Sequence, residues 1–92
     1  MGMVKVIFTA NLRRYTGGVT ETEASGERVR DLLVDLDLRI PGIRHYVVND
    51  HGTLRRHVNI FVDGELVADR AALTDPLRPG CTVHILQALS GG

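Results

Sequence analysis

Apolar positions along the chain change their period from segment to segment, and each change marks an element. From Val4 to Phe8, the residues Val4, Val6 and Phe8 alternate with Lys5 and Ile7 in a mostly β-branched run, which is the two-residue period of a strand. Thr16-Gly17-Gly18 interrupts it, and the more polar alternation over residues 19–24 predicts a second strand at a sheet edge. The period then lengthens. Val29, Leu32, Leu33, Leu36 and Ile40 fall on one helical stripe while Arg30, Asp31, Asp35 and Arg39 face away. Ser25 is the candidate N-cap, with Glu27 in the first turn where a carboxylate meets the positive end of the helix dipole, and Pro41-Gly42 ends the helix.

Across residues 43–56 the periodicity fades around the turn signal Asn49-Asp50-His51-Gly52, and the stretch reads as an irregular connection. Residues 57–62 and 65–67 flank Asp63-Gly64, a pair that tolerates the positive φ angles of a type I′ turn and so predicts a hairpin. Ala71-Ala72-Leu73 reads as a short turn of helix before Pro76, Arg78-Pro79-Gly80 as a turn, and residues 82–86 as the last strand. One amphipathic helix must bury its stripe against one face of a mixed sheet of about five strands, an α+β arrangement of the β-grasp, ubiquitin-like type. The first and last strands, with the most continuous apolar residues, are expected side by side at its centre. Residues 1–88 are the expected domain and residues 89–92 a flexible C-terminal tail.

Composition narrows the chemistry. A chain of 92 residues, 43% hydrophobic and 24% charged, supports one soluble core. Lys plus Arg total 11 and Asp plus Glu total 11, which leaves no basic excess for a phosphate backbone, so nucleic acid is not expected as a direct partner. The single cysteine, Cys81, forms no internal disulfide and suits a reducing, cytoplasmic location. No secretory signal and no apolar run of roughly 20 residues is present, so no membrane partner is expected. His45, His51, His57 and His84 match no compact ligand spacing, so no metal is expected. With no phosphate loop or nucleophile elbow, no bound cofactor is expected and any ATP must be used by a partner enzyme.

The candidate chemistry lies in Ser90-Gly91-Gly92. A carboxylate on an unbranched residue is a poor electrophile until joined to AMP as a mixed anhydride. Two glycines let an extended segment pass through a narrow channel, because they carry no side chain and accept almost any φ and ψ. On an arbitrary chain such an ending is a frayed terminus. Here it follows the last strand of the expected domain, after the lead-in Ala88-Leu89-Ser90.

Several segments together resemble the ubiquitin-like sulfur carriers of the MoaD/ThiS type, over nearly the whole chain. They are the opening Val4-Lys5-Val6-Ile7-Phe8, the helix entry Val29-Arg30-Asp31-Leu32-Leu33, the stretch over residues 77–86 with its Leu77-Arg78-Pro79-Gly80 turn, and the terminal Leu89-Ser90-Gly91-Gly92. The run over residues 56–63 is most similar to the cysteine-pathway carriers. The family often has an acidic residue where Cys81 or Thr82 stands and a proline where Gln87 stands, which bears on the pathway rather than on the tail.

The resemblance implies that a ubiquitin-activating-type adenylyltransferase uses ATP to adenylate Gly92. A sulfur donor such as a persulfide enzyme then yields a terminal thiocarboxylate, and a biosynthetic enzyme accepts the sulfur. The chain would be a protein co-substrate, not an enzyme, with Gly91 and Gly92 at the reacting end and Leu89 and Ser90 leading into the partner. Thr9, Arg13 and Leu86 match partner-facing positions of the family, with a plain solvated or half-buried sheet face as the other reading. Cys81 reads as a small hydrophobe opening a strand. Arg13-Arg14 and Arg55-Arg56 read as solvated charge, or as steering groups for an acidic adenylyltransferase surface. Two other functions remain open: a ubiquitin-like modifier joined through Gly92 to lysines, and an interaction module with an inert tail.

Overall fold

In β1 (Val4–Phe8) the side chains of Val4, Val6 and Phe8 are buried, Ile7 is half-buried and Lys5 is exposed, so the alternation in the sequence is the alternation of burial. The computed structural model describes residues 3–9 and 12–87. The expected boundary at residue 88 and the tail 89–92 lie outside the described residues. Among those described, the elements that follow are β2 (Glu21–Ala24), α1 (Val29–Arg39), α2 (Ile43–Val47), β3 (Val58–Val62), β4 (Glu65–Leu66) and β5 (Thr82–Gln87). The sheet order is β2-β1-β5-β3-β4, with β1 and β5 parallel and the other pairs antiparallel. β5 is therefore central with β1 beside it, and β2 is an edge, as the patterns predict. The α1 stripe Val29, Leu32, Leu33 and Leu36 is buried in one core with Val4, Val6, Phe8, Val83 and Ile85, while Ile40 packs at its margin.

The helix does not begin as expected. Ser25 is not its N-cap and Glu27 is not in its first turn; Arg28, in extended backbone, takes the cap position, and Asp31 is the first-turn acid. The first N–H groups need no capping side chain, because Val29 donates to the Asp75 carbonyl and Arg30 to the Leu73 carbonyl, both at 3.0 Å. The segment before the helix instead runs alongside it. Ser25 donates its backbone N–H to Asp35 Oδ2 at 2.9 Å, and that bond, with the Arg39 guanidinium beside it, holds the Asp35 carboxyl below the usual aspartate range. Gly26 passes so close that a Cβ there would lie 2.4 Å from the backbone nitrogen of Leu32.

Residues 43–56 are not wholly irregular, since α2 occupies the start of the stretch. Gly42, at φ 92°, turns the chain back, Asp37 Oδ1 accepts the N–H groups of Gly42 and Arg44 at 3.1 Å each, and Ile43 and Val47 reach the core. Five residues are too few to show a helical period in the sequence. The turn at 49–52 forms as expected, with Asn49 Oδ1 accepting from His51 and Thr53. The β3–β4 hairpin turns through Asp63 at φ 49° and Gly64 at φ 85°, the signs a type I′ turn requires.

Ala71-Ala72-Leu73 does not make a helix. One turn closes by Leu73 N–H to the Asp69 carbonyl at 2.9 Å, and Leu73 sits at φ 53° with its side chain buried. The Asp69 carboxylate organises this loop, accepting from the Thr74 hydroxyl and from the backbone N–H groups of Ala72 and Thr74; these bonds lower its pKa, the Thr74 hydroxyl most.

Candidate functional site

Because β1 and β5 run parallel, both end on the same side of the sheet. The Thr9 N–H donates to the Ile85 carbonyl at 3.2 Å, and the Gln87 N–H reaches Thr9 Oγ1 at 3.4 Å. Thr9 is thus half-buried beside the end of β5. Arg13 follows in a tight turn whose geometry is set by its carbonyl, which accepts the Thr16 N–H and hydroxyl and the Gly18 N–H. Its side chain is exposed. Leu86 is half-buried on the sheet face away from α1, opposite Asn59 of β3. The fold brings these three candidates to one end of the sheet. Leu89, Ser90, Gly91 and Gly92 lie outside the described residues.

Strand register shows what the sequence reading did not single out. Ile7 pairs with His84, His84 with Phe61 and Phe61 with Leu66, so these residues form a row across four strands on the face opposite α1. Leu66 is 52% exposed. The signal was present in the alternate positions of each strand, but only the register lines them up.

At the end of β5 a cleft of about 390 Å³ is lined by Tyr15, His45, Tyr46, Arg55, His57 and Gln87. The rings of Tyr15 and Tyr46 stack with centroids 3.9 Å apart, tying the turn after β1 to α2, and the Arg14 guanidinium carbon stands 5.6 Å from the Tyr15 centroid. Arg55 Nε donates to the His45 carbonyl at 2.8 Å. Arg70 holds the segment before β3 by donating to the Arg55 and Val58 carbonyls at 2.8 and 2.9 Å and to Asn59 Oδ1 at 3.0 Å. His45 and His57 share this cleft, whereas His84 lies on the open sheet face.

Cys81 lies at the opposite end of β5, roughly 20 Å away at the rise of an extended strand, and is 4% exposed. Burial pushes its thiol up from the ordinary cysteine range, which leaves little thiolate at neutral pH. Its packing is that of a small core residue.

The ThiS family model matches residues 6–92. The chain belongs to the ThiS family. Members of this family are ubiquitin-like sulfur carriers, and a sulfur carrier is not itself an enzyme. The chain is 34% identical over 91 residues to the sulfur carrier protein CysO of Mycobacterium tuberculosis, covering 97% of this chain and 98% of that protein. A chain in the crystal structure of the Amycolatopsis orientalis BexX/CysO complex superposes with a TM-score of 0.84 at 33% identity, covering 97% of this ThiS-family chain and 99% of that one. The solution structure of small archaeal modifier protein 1 from Methanosarcina acetivorans gives a TM-score of 0.78 at 31% identity, covering 100% and 98%. Among the described residues no helix is long and apolar enough to cross a membrane.

Proposed function

We propose that this ThiS-family carrier works through the carboxylate of Gly92, activated by a ubiquitin-activating-type adenylyltransferase in the cytoplasm. A Gly92 carboxylate oxygen attacks the α-phosphorus of ATP held by that enzyme, and pyrophosphate leaves. The outer sulfur of an enzyme persulfide then attacks the carbonyl carbon, AMP leaves with the bridging oxygen, and a thiol of the donor enzyme cleaves the resulting acyl persulfide at its S–S bond, ending as a disulfide and leaving the sulfur on Gly92. The product is a thiocarboxylate, a soft nucleophile that carries sulfur to a biosynthetic acceptor enzyme without releasing it as free sulfide. The carrier itself binds no cofactor. Gly91 and Gly92 enter the partner's channel, Leu89 and Ser90 lead them in, and Thr9, Arg13 and Leu86 face the partner at the end of β5.

The observation that carries this reading is that the family match extends through Gly92 and includes the Gly91-Gly92 pair. Deleting Gly92 moves the reacting carboxylate back by one residue, about 3.3 Å in an extended chain. Adenylation measured as ATP–pyrophosphate exchange should then disappear while thermal unfolding stays unchanged. Normal exchange by the deleted chain would overturn the assignment. The likeness to the small archaeal modifier favours a second fate for the same adenylate, capture by a lysine amine to give an amide. Lysine-linked adducts of the chain in its native cell would mark that fate.

A further inference from the structure

The chain is formally neutral, yet bases outnumber acids in the segments at one end of β5 and acids outnumber bases in the cleft at the other. Three segments meet where β5 ends, as the Tyr15–Tyr46 stack and the cleft lined by Tyr15, His45, Arg55, His57 and Gln87 show. These segments, residues 12–18, 43–49 and 53–58, contain Arg13, Arg14, Arg44, Arg55 and Arg56 and no Asp or Glu, and the turn that joins the last two contributes one exposed acid, Asp50. At the other end of β5 a second cleft of about 320 Å³ beside the hairpin turn is lined by three acids, Asp63, Glu65 and Asp75, and one base, Arg78. Among the described residues the ion pairs are Lys5–Glu21 and Arg39–Asp35, neither of which involves the basic end. Arg13 and Arg56 are exposed there.

We infer that Arg13, Arg14, Arg55 and Arg56 form a positive collar around the end of β5 that docks an acidic rim framing the adenylyltransferase channel. This rests on the proposed function and adds the charge of the partner surface. The two arginine pairs are far apart in sequence and act as one patch because the Tyr15–Tyr46 stack and the hydrogen bonds of Arg70 hold their segments on the same end of the sheet. Like charges held on one end of a sheet sum their fields, whereas the far end, where acids outnumber bases, is repelled by the same rim. The chain is thereby oriented with the end of β5 foremost before contact. Steering of this kind raises association rates by about 10- to 1,000-fold and weakens as salt shortens the Debye length. A nucleic acid is a poorer fit, because a long phosphate backbone would also meet the acidic end.

The test is kcat/KM for ATP–pyrophosphate exchange with the adenylyltransferase, measured on the whole chain at about 0.05 M and about 0.5 M salt. The double variant Arg13→Glu with Arg56→Glu is compared with a control of equal charge change, Arg30→Glu with Arg78→Glu, both checked for an unaltered melting curve. The collar variant should lose about tenfold or more at low salt with kcat unchanged, the gap should close at high salt, and the control should match the parent. Collar and control variants indistinguishable from each other, with the parent still charged, would overturn the collar and leave the proposed function standing. No exchange by the parent would overturn both. Loss of binding to a duplex RNA in the collar variant, with exchange kinetics intact, would also overturn the inference by giving the patch a different partner.

Discussion

Replacing Leu33 by alanine separates what the helix does from what the end of the chain does. Leu33 is 1% exposed on the inward stripe of α1, where it shares the core with the central strands. Alanine removes the buried branched end of the side chain and leaves a cavity that a helix fixed on both flanks closes only in part. The lost transfer energy and the cavity together cost about 2 to 5 kcal/mol, a large share of a total stability of about 5 to 15 kcal/mol. For a domain of this size each kcal/mol moves the unfolding midpoint by about 4 to 8 °C, so the melting temperature should fall by on the order of 10 °C or more. Val34, its neighbour on the outer face, is 53% exposed, and Val34→Ala should stay within about 0.5 kcal/mol of the parent. Thermal and urea unfolding of both variants measure the difference. Below its midpoint, folded Leu33→Ala should still undergo ATP–pyrophosphate exchange at the parent's rate, because the stripe is buried in the core with Val4 and Ile85 and includes none of the residues proposed to meet the partner. A Leu33→Ala variant no less stable than Val34→Ala would refute the packing argument. A stable one that failed in exchange would refute the separation.

Other consequences follow from single contacts. Gly26→Ala places a Cβ 2.4 Å from the Leu32 nitrogen and 2.8 Å from its Cα, both backbone atoms, so α1 or residues 25–28 must shift at a cost of about 1 to 3 kcal/mol, read as a lower urea midpoint; an unchanged midpoint contradicts the crossing. The depressed pKa of Asp35 means that its stabilising bonds to Ser25 and Arg39 are fully present above the ordinary aspartate value of about 3.9 and are lost as pH falls through the lower folded value. The stability gap between the parent and Asp35→Asn should therefore shrink in strong acid, and a gap independent of pH from neutral to strong acid contradicts the assignment. Cys81 should resist alkylation in the native protein and react readily in denaturant, and Cys81→Ser should still be adenylated; complete loss of adenylation in a folded variant would reassign the chemistry to the thiol.

What the sequence made legible was whatever repeats locally. The strand of Val4, Val6 and Phe8, the stripe from Val29 to Leu36 and the Asp63-Gly64 turn each contain enough positions for the period or the φ requirement to show. The helix start was not legible, because its N–H groups are satisfied by the carbonyls of Leu73 and Asp75, supplied by a loop far along the chain. α2 was hidden by its length, and the turn at Leu73 by an Asp69 carboxylate that holds a non-helical loop. The Gly91-Gly92 ending is visible in the sequence because the chemistry proposed for it depends on residue type rather than on a fold, and it lies outside the described residues. The basic end could be read only as two separate arginine pairs, since no local pattern says that Arg13 and Arg56 share one end of a sheet.

The account turns on the atom that carries sulfur, and intact-mass spectrometry of the chain isolated from its native cell tests it most directly. Sulfur transfer through Gly92 predicts a fraction of molecules in which one oxygen is replaced by sulfur, localised by fragmentation to the terminal residue and abolished by deleting Gly92. A chain that carries no such replacement while its pathway is active, or one whose added sulfur maps to Cys81, would contradict the claim.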